Sequence, residues 1–461
     1  MRIAWFTPFT PLHAIGDYSE AIVRRLAVRD EVTVFAPADV GGEAPRPSPL
    51  PVVPIPHEPT PDLLARLDGF DVCVYNLGDH IHNHLAVYET ALRRPGITVL
   101  HDLMMRDFFL GYFVLHRKDP AGFARLLGYA HGPEAEALGR DVVEGRRPEE
   151  VEDPVRLTFP MYKPALRRAL GVVVHSEYAR GRVAPDVPAP VRRIDFPLFG
   201  PAARTAEASP ARPPSANGKV RLLTFGMLNP NKLVHATIEA IAGSDRLRRA
   251  VQFTVVGSEG IAGYEGRLRG LIADQGLGEA VSLVGRLSDD ELRAALAEAD
   301  VVVNLRNPHG GESSASLLTS LVAGVPTVVW DHGYYGEFPD DVVVKVRSEA
   351  EIAGALEGLV GDPARRQRIG KASRAHALAR FDTDRYCQQF REFAGQVRQA
   401  APLFTLTDAA ADRLAELGSS DLDGLADRIA AEVATFVPEV PSASRATTSP
   451  IQGTTARSAA A

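Results

Sequence analysis

A glycine-rich turn, Gly310–Ser314, follows the apolar run Val301–Asn304 and precedes a helix-like segment. The free N–H groups and positive dipole end at a helix start can bind an anion, and glycine lets the backbone come close to a ligand. Glu312 can accept hydrogen bonds from sugar hydroxyls. An ordinary strand-to-helix loop, with Ser313 or Ser314 as a simple N-cap, accounts for the local pattern about equally well.

Lys232 is a candidate cation for a phosphate group. It lies in Phe225-Gly-Met-Leu-Asn-Pro-Asn-Lys-Leu233, between a predicted strand and a predicted helix, where its ammonium group can reach a diphosphate. One charge-assisted hydrogen bond of this kind contributes roughly 1.5–3 kcal/mol. A solvated surface position is the commoner fate of a single lysine, and it is the alternative here.

Several histidines are candidates for catalysis or binding. His101 ends an apolar run, and we expect it to face a ligand cleft, with Asp102 orienting it or capping the next helix. A hydrogen-bonded structural histidine is the alternative. His80, His82 and His84 are as closely spaced as metal ligands, yet no cysteine or carboxylate cluster completes a metal site, so we interpret them as a polar loop.

The sequence predicts neither a metal nor a cofactor. No Asp-x-Asp pair stands at a predicted strand end, and Asp421-Leu-Asp423 lies in a C-terminal helical stretch, where it is interpreted as solvated charge. The two cysteines are far apart in the sequence. They indicate no disulfide framework, which fits a reducing compartment.

Strands and helices that alternate along both halves of the chain must position these residues. Such alternation predicts right-handed strand–helix–strand units and parallel sheets covered on both faces. We therefore predict an α/β fold with two doubly wound, Rossmann-like domains facing across a cleft, where such sheets favour a ligand. The predicted strands are Ile3–Phe6, Val32–Ala36, Val72–Tyr75, Thr98–His101, Gly171–Val174, Arg221–Phe225, Gln252–Val256, Val281–Val284, Val301–Asn304, Thr327–Trp330 and Val342–Lys345.

Changes in composition give the predicted domain boundaries. Residues 200–218 are rich in Pro, Ala, Ser and Arg, which is typical of a linker, and the last residues lack any periodicity, which predicts disorder. The predicted parts are an acceptor-side domain at 1–199, a linker at 200–218, a donor domain at 219–383, a helix returning to the first domain at 384–400, a helical appendix at 401–437 and a disordered tail at 438–461.

The overall composition is that of a soluble globular protein. Of 461 residues 45% are apolar and 24% are charged, and the net charge is −7, which argues weakly against a nucleic-acid partner. No stretch approaches the roughly 18 apolar residues of a membrane span, so we predict a cytoplasmic protein. The basic, partly amphipathic segment Tyr162–Ala169 leaves peripheral membrane contact possible, although a solvated helix face is the preferred interpretation.

The second half of the chain resembles the donor domain of a large family of retaining glycosyltransferases with the GT-B fold, family 4 or glycosyltransferase group 1. The first half resembles the acceptor domain less closely, and some of its motifs resemble a subgroup of bacterial members. The matching segments are Ile15–Glu20, Tyr75–Asp79, Val99–Asp102, Val173–Tyr178, Gly226–Lys232, Val255–Gly257, Val281–Leu292, Ala299–Asn304, Ala323–Val329 and Gly333–Glu337.

The resemblance implies a role for particular residues. Lys232 binds the diphosphate, the backbone near Arg286 meets the base, and His101 approaches the donor sugar. The implied catalytic residues are His101, Glu312 and Lys232. The implied donor-binding residues are Gly16, Gly226, Asn231, Arg286, Leu287, Gly310, Gly311, Ser313 and Ser314. The implied acceptor-side residues are Asp17, Asp79 and Asp102.

Two departures from the family pattern concern donor binding. The family pairs its lysine with an arginine just after the glycine of the motif, and this chain has Met227 there. The family also has two glutamates eight positions apart, which a strict register places at Gly311 and Thr319. We interpret Glu312, one residue off that register, as the first glutamate. Counting eight positions from it gives Ser320, so the second glutamate, which normally holds the ribose, is absent.

The function implied by the resemblance belongs to carbohydrate biosynthesis. A hexose-type sugar would move from a nucleotide-diphosphate donor to a sugar, lipid-linked or small-molecule acceptor, without a metal and with retention of anomeric configuration. The leaving phosphate would help to deprotonate the acceptor. The alternative is a degenerate, non-catalytic GT-B protein that acts as a scaffold or as an activating partner of another transferase.

Overall fold

A computed structural model describes residues 1–11, 13–38, 45–146, 158–206 and 217–416. The chain divides into two compact units, Met1–Arg398 and Gln399–Ala461, and both sheets lie in the first unit. The predicted tail at 438–461, and the part of the predicted appendix at 417–437, lie outside the described residues. So does most of the predicted linker, at 207–216.

The first domain contains a seven-stranded parallel sheet in the order β3-β2-β1-β4-β5-β6-β7. The chain runs outward from β1 in one direction and then returns to build from β4 in the other. The order therefore reverses between β1 and β4. The strands are β1 (Arg2–Phe6), β2 (Glu31–Pro37), β3 (Val52–Ile55), β4 (Val72–Leu77), β5 (Ile97–Leu100), β6 (Gly171–Val174) and β7 (Val191–Arg193).

The second domain repeats this plan with six parallel strands in the order β10-β9-β8-β11-β12-β13. Its order reverses between β8 and β11. The strands are β8 (Val220–Phe225), β9 (Val251–Val256), β10 (Val281–Val284), β11 (Val301–Asn304), β12 (Thr327–Trp330) and β13 (Val344–Val346). The prediction of two doubly wound parallel sheets is confirmed.

Helices follow most strands and cover both faces of each sheet. In the first domain they are Ala14–Leu26, Pro61–Leu67, Ile81–Arg93, Arg106–Gly111, the π-helix Tyr112–His116, Pro120–His131, Pro133–Val143, Tyr162–Leu166, Glu177–Val183 and Gly200–Ala206. In the second they are the 3-10 turn Pro230–Lys232, then Val234–Ala242, Asp245–Ala250, Tyr264–Asp274, Asp289–Glu298, Ala315–Val322, Gly333–Gly336, Ala350–Gly361, Pro363–Arg380 and Thr383–Glu416.

The early part of the last helix packs against the first domain. The Tyr386 hydroxyl lies 2.5 Å from the Tyr18 hydroxyl, and the rings of Phe390 and Trp5 meet edge to face at 5.5 Å. Gly171 at the start of β6 leaves room for this helix, because a Cβ there would lie 2.5 Å from a methyl carbon of Val397. The chain thus crosses back after completing the second sheet.

Three sequence-based predictions differ from the structure, each for a local reason. The strands β3 and β7 were not predicted, because both are edge strands that alternate little between buried and exposed residues and β3 contains a proline. The predicted linker begins as a short helix, Gly200–Ala206, which buries Ala202 and Thr205.

Candidate active site

Four loops meet where the strand order of each sheet reverses. In doubly wound sheets the carboxyl ends of the strands at this point form the ligand crevice. The segment after β1 carries Gly16, in the first turn of the helix Ala14–Leu26, and the loop after β4 carries Asp79. The loops after β8 and β11 carry Lys232, in the 3-10 turn Pro230–Lys232, and Glu312. The two domains touch here, since the backbone N–H groups that follow Asp102, those of residues 103 and 104, both donate to the Gly310 carbonyl at 3.2 Å.

The larger of two neighbouring cavities has a volume of about 750 Å³ and lies mainly on the second domain. Most of the predicted donor-binding residues line this cavity. Of the others, Asn231 and Gly310 line the smaller cavity, and Gly16 and Gly311 line neither. The lining of the larger cavity includes Asp17, Gly226, Met227, Asn229, Lys232, Arg286, Leu287, Arg306, Ser313, Ser314 and Thr319.

Lys232 is buried at this cavity, not solvated at the surface. Its Nζ donates to the Phe225 carbonyl at 3.0 Å. Gly226 makes this position possible: its φ is +104°, and a Cβ there would lie 2.6 Å from Nζ. Burial, and then the charge of Arg306, lower the pKa of Lys232 to about 7, so an anion in the cavity would restore the ammonium form.

Arg306 is a cavity residue that the sequence reasoning missed. The backbone N–H of Asn307 donates to the Asn231 carbonyl at 2.8 Å, which ties the turn after β11 to the turn that carries Lys232. The Arg306 side chain is only 18% exposed, and its Nη1 lies 3.4 Å from Glu312 Oε1. The sequence gives no sign that Arg306 and Lys232 are neighbours, because the turns that carry them meet only when β8 and β11 lie side by side.

The helix Ala315–Val322 begins at the wall of the same cavity. Ser314 is its N-cap and accepts a hydrogen bond from the Leu317 N–H at 3.1 Å, so the simple N-cap interpretation holds for this hydroxyl. Thr319, at the strict-register position of the second glutamate, lines the cavity and donates its hydroxyl to the Ala315 carbonyl at 2.8 Å. Ser313 and the helix N–H groups remain beside the cavity.

The smaller cavity, of about 330 Å³, lies between the domains and shares Asn229 with the larger one. Three carboxylates line it. Glu312 Oε2 accepts from the Gly310 N–H at 2.6 Å, and Asp102 Oδ2 accepts from the Asp79 N–H at 3.1 Å. Burial, and then the nearby Glu312, raise the pKa of Asp102 to about 6. Two of the three acceptor-side residues are therefore brought together with Glu312.

Histidines complete the wall of the smaller cavity: His13, His80, His84 and His309. Burial lowers the pKa of His80, lowers that of His84 strongly and lowers that of His309 to about 4. These three rings are therefore neutral at pH 7. His84 Nδ1 lies 3.0 Å from the Asn76 carbonyl, so this nitrogen carries the proton and Nε2 is the hydrogen-bond acceptor. The predicted polar loop is wrong, because His80 is the N-cap of the helix Ile81–Arg93 and His82 and His84 lie in its first turn; of the three, His80 and His84 line the cavity.

His101 lines neither cavity. Its Nε2 lies 3.1 Å from the Asn76 side-chain oxygen, and its ring packs 4.8 Å from Tyr18 and 5.4 Å from His175. The strand β5 ends at Leu100, one residue earlier than predicted, and the next side chain turns into this aromatic cluster. The position matches the structural alternative, and a catalytic role for His101 stays a prediction.

The helix after β1 carries two predicted site residues, Gly16 and Asp17, and neither lies in the predicted place. Gly16 is tightly enclosed, because a Cβ there would lie 3.0 Å from the Thr10 carbonyl oxygen. Asp17 lines the larger cavity and not the acceptor-side one, and its Oδ1 accepts from Arg46 Nη2 at 2.7 Å. Arg46 forms ion pairs with both Asp17 and Glu20, which lie on the helix Ala14–Leu26.

Two further observations bear on metals and membranes. Among the described residues, no group of three or more His, Cys, Asp or Glu side chains is arranged to hold a metal ion.

The segment Tyr162–Ala169 does not present an apolar surface, because Tyr162, Ala165 and Leu166 are buried in the core. Each helix in the described parts of the chain is too short or too polar to cross a bilayer.

Comparison with known proteins agrees with this geometry. Residues 206–376 match the family model for glycosyl transferases group 1. Glycogen synthases of two Mycobacterium tuberculosis strains are 33% identical over 173 residues, which is 36% of this chain and 40% of each relative. The match therefore spans well under half of the length of these curated relatives.

Solved structures extend the likeness to both domains. Anabaena HepE in complex with UDP-glucose has a TM-score of 0.58 at 16% identity, over 86% of this chain and 100% of that one. Sucrose-phosphate synthase from Thermosynechococcus elongatus has a TM-score of 0.57 at 17% identity, over 87% of this chain and 100% of that one. At such identities the likeness shows the fold alone.

The two facing sheets, with cavities where their strand orders reverse, define this protein as one with the GT-B fold. Within that fold, residues 206–376 are similar to the glycosyl transferases group 1 family.

Proposed function

We propose that this protein is a glycosyltransferase that moves an uncharged, hexose-type sugar from a nucleoside-diphosphate donor to an acceptor. The observation that carries the proposal is the pair of adjoining cavities, which meet at Asn229. One contains a buried ammonium group and a helix start, and the other contains three carboxylates and neutral histidines. The first suits a diphosphate, and the second suits hydroxyl groups.

The larger cavity is assigned to the nucleoside diphosphate. Lys232 and the N–H groups at the start of Ala315–Val322 face the diphosphate, and the base lies near Arg286 and Leu287. The family's ribose-binding glutamate is absent, and Thr319, which lines this cavity, has a hydroxyl that is a weaker hydrogen-bond partner than a carboxylate. We therefore expect weak discrimination between ribose and deoxyribose.

The smaller cavity is assigned to the transferred sugar and the reacting acceptor hydroxyl. Asp79, Asp102 and Glu312 accept hydrogen bonds from sugar hydroxyls but repel a carboxylate or phosphate group. A neutral hexose suits this lining better than an acidic sugar. The acceptor itself, whether sugar, lipid-linked or small molecule, enters from the side of the first domain.

In the proposed reaction the bond between the anomeric carbon and the diphosphate oxygen breaks. A bond from the acceptor oxygen forms on the same face of the sugar, so configuration is retained, and the acceptor proton passes to the leaving diphosphate. Lys232 and the helix N–H groups stabilise the developing charge as preorganised donors. The proposal includes no metal and no cofactor, and places the reaction in the cytoplasm.

The first test is a panel of nucleoside diphosphates in a thermal-shift assay, followed by hydrolysis of the matching nucleotide sugars. A ligand at 100 times its dissociation constant stabilises the folded protein by roughly 2.7 kcal/mol, a clear shift in melting temperature. Solved HepE complexes contain UDP and UDP-glucose, so this pair is tested first. UDP-glucuronate is the matched acidic donor, and we expect it to be a poor substrate.

The variant Lys232→Ala ties the result to the cavity. We expect it to weaken diphosphate binding by about tenfold or more, because one charge-assisted contact is lost. If UDP, GDP and dTDP all fail to shift the wild-type melting temperature, the assignment of the larger cavity is wrong. Unchanged affinity in Lys232→Ala would remove that residue's role alone.

A non-catalytic scaffold is the second candidate. The absent second glutamate and the position of His101 outside both cavities favour it. Such a protein can still bind a nucleoside diphosphate, so binding does not separate the two. Turnover of a nucleotide sugar, alone or with an acceptor panel, excludes the scaffold, whereas binding without turnover of any donor supports it.

A further inference from the structure

The position where the family carries its phosphate-binding arginine offers no cation in this protein. Met227 stands there and is 59% exposed. Its side chain lies beside the turn at Gly260, where an added Cβ would meet Met227 Cγ at 2.5 Å. The diphosphate proposed above carries about three negative charges, so Lys232 alone would leave much of that charge unbalanced in a buried site.

A different arginine, Arg306, reaches the same cavity from the turn after β11. Arg306 and Lys232 both line the 750 Å³ cavity. The turns that carry them are joined by the hydrogen bond from the Asn307 N–H to the Asn231 carbonyl at 2.8 Å. The two cations are therefore held next to each other by backbone, not by flexible side chains alone.

The Arg306 guanidinium group is not fully used within the protein. Its Nε is buried and has no hydrogen-bond partner among the residues that the structure describes. Its Nη1 is 3.4 Å from Glu312 Oε1, longer than the roughly 2.7–2.9 Å of a good charge-assisted hydrogen bond. Tyr335 and Glu312 interact with this partly buried guanidinium group, but its unpaired Nε and the long contact to Glu312 leave donors for an anion.

We propose that Arg306 is the second diphosphate-binding cation of this protein and replaces the arginine missing at Met227. The inference rests on the proposed nucleoside-diphosphate site and assigns a further residue to it. Arginine suits the task because its planar group can hold two phosphate oxygens at once.

The same contact would link the two cavities. Arg306 lines the larger cavity and Glu312 lines the smaller one, and the two side chains face each other. A diphosphate that draws the guanidinium group to itself releases Glu312 Oε1 to accept a hydrogen bond from the sugar. Nucleotide binding thereby prepares the sugar cavity.

The test compares UDP with UMP by isothermal titration calorimetry in wild type and Arg306→Gln. UMP lacks the second phosphate, so it measures binding of the base, the ribose and the first phosphate, and the difference from UDP isolates the second phosphate, to which Arg306 is assigned. We expect Arg306→Gln to weaken UDP binding by about tenfold or more, and UMP binding by less than about threefold. Equal loss for both nucleotides, or no loss for either, overturns the proposal.

Two further variants separate a charge effect from a folding effect. Arg221→Gln is the matched control, because Arg221 is also 18% exposed and also paired with a carboxylate, Asp300, but at the opposite end of β8. We expect it to leave the ratio of UDP to UMP affinity unchanged. In the double variant Arg306→Gln with Met227→Arg, the family's arginine is restored, and UDP affinity should recover at least in part.

The outcomes distinguish this proposal from the one on which it rests. If wild type binds no nucleoside diphosphate, both proposals fail. If wild type binds UDP and Lys232→Ala weakens it while Arg306→Gln binds like wild type, the diphosphate site stands and the role of Arg306 is wrong. No recovery in the double variant, with UDP and UMP weakened alike, also overturns it.

Discussion

At the scale of single residues, the site depends on side chains whose charge is set by burial. Lys232 is 8% exposed and donates to the Phe225 carbonyl, and the charge of Arg306 acts on it. Such a group costs free energy when charged in the empty cavity and is stabilised by an anion. The buried histidines of the smaller cavity stay neutral for the same reason, so they act there as hydrogen-bonding groups.

The depressed pKa of Lys232 predicts how nucleotide affinity depends on pH. Burial, and then Arg306, bring this pKa to about 7, so the ammonium form is lost in the empty site as pH rises above 7. Diphosphate binding favours the charged form and therefore takes up a proton. We expect UDP affinity to fall between pH 7.5 and pH 9, by at most about tenfold per unit.

Isothermal titration calorimetry at several pH values, in buffers of different ionisation enthalpy, measures this proton uptake. Lys232→Arg is the control, because its guanidinium group stays charged over the whole range. If the variant and wild type lose affinity with the same slope, another group is titrating and the interpretation of Lys232 is wrong.

At the scale of elements, each functional side chain sits on a turn whose shape requires a particular backbone. Gly226 follows β8 with a φ of +104°, and Gly311 follows β11 with a φ of +82°. A Cβ added at Gly226 would meet Lys232 Nζ in the site, and one added at Gly311 would meet the side chain of Leu103 in the first domain. The turns are therefore shaped by glycine so that other groups can approach.

Gly226→Ala tests the shape of the first turn. The positive φ disfavours alanine by about 1–2 kcal/mol, and the new methyl group would displace Lys232 Nζ, which lies 2.6 Å from its position. We expect a lower melting temperature and loss of UDP affinity similar to that of Lys232→Ala, measured by thermal shift and calorimetry.

Gly263→Ala is the matched control. Gly263 also has a positive φ, +86°, but nothing lies within 4 Å of an added Cβ. It should lose similar stability and keep UDP affinity. If Gly226→Ala binds UDP as Gly263→Ala does, the turn does not position Lys232.

At the scale of the whole molecule, the two domains contact each other through specific polar groups. Glu337 of the second domain accepts a hydrogen bond at 2.7 Å from the backbone N–H of Tyr178, in the first turn of the helix Glu177–Val183 of the first domain. Its other oxygen lies 3.9 Å from Arg380 Nη2. A carboxylate at a helix start is favourable, so this cap stabilises the association of the domains.

Glu337→Ala is expected to destabilise the protein by about 1–2 kcal/mol, since a partly buried N–H loses its acceptor. The melting temperature should fall while UDP affinity stays the same, because Glu337 lines neither cavity. Glu177→Ala in the same helix is the control: the Glu177 side chain is 47% exposed and its ion pairs with Arg180 and Arg193 lie at the surface, so the loss should be under about 1 kcal/mol. Equal melting temperatures for the two variants would contradict the domain-bridging role.

The sequence by itself determined the strands at the centre of both sheets, the α/β class and the resemblance to a glycosyltransferase family. It also marked Lys232, Glu312 and the turn Gly310–Ser314, because central parallel strands are continuous apolar runs and phosphate-binding turns need glycine. These are signals between neighbours in the chain, so they can be read without a structure. The edge strands β3 and β7, which are half exposed, carried too weak a pattern.

Only the tertiary structure decided which polar residues share a cavity. Arg306 joined Lys232 because β8 and β11 are adjacent although about 80 residues separate them. Asp17 lines the larger cavity, and the His101 ring packs against Tyr18 in an aromatic cluster. Side-chain direction and burial depend on contacts between distant segments, and these contacts also set the pKa of Lys232 and of Asp102.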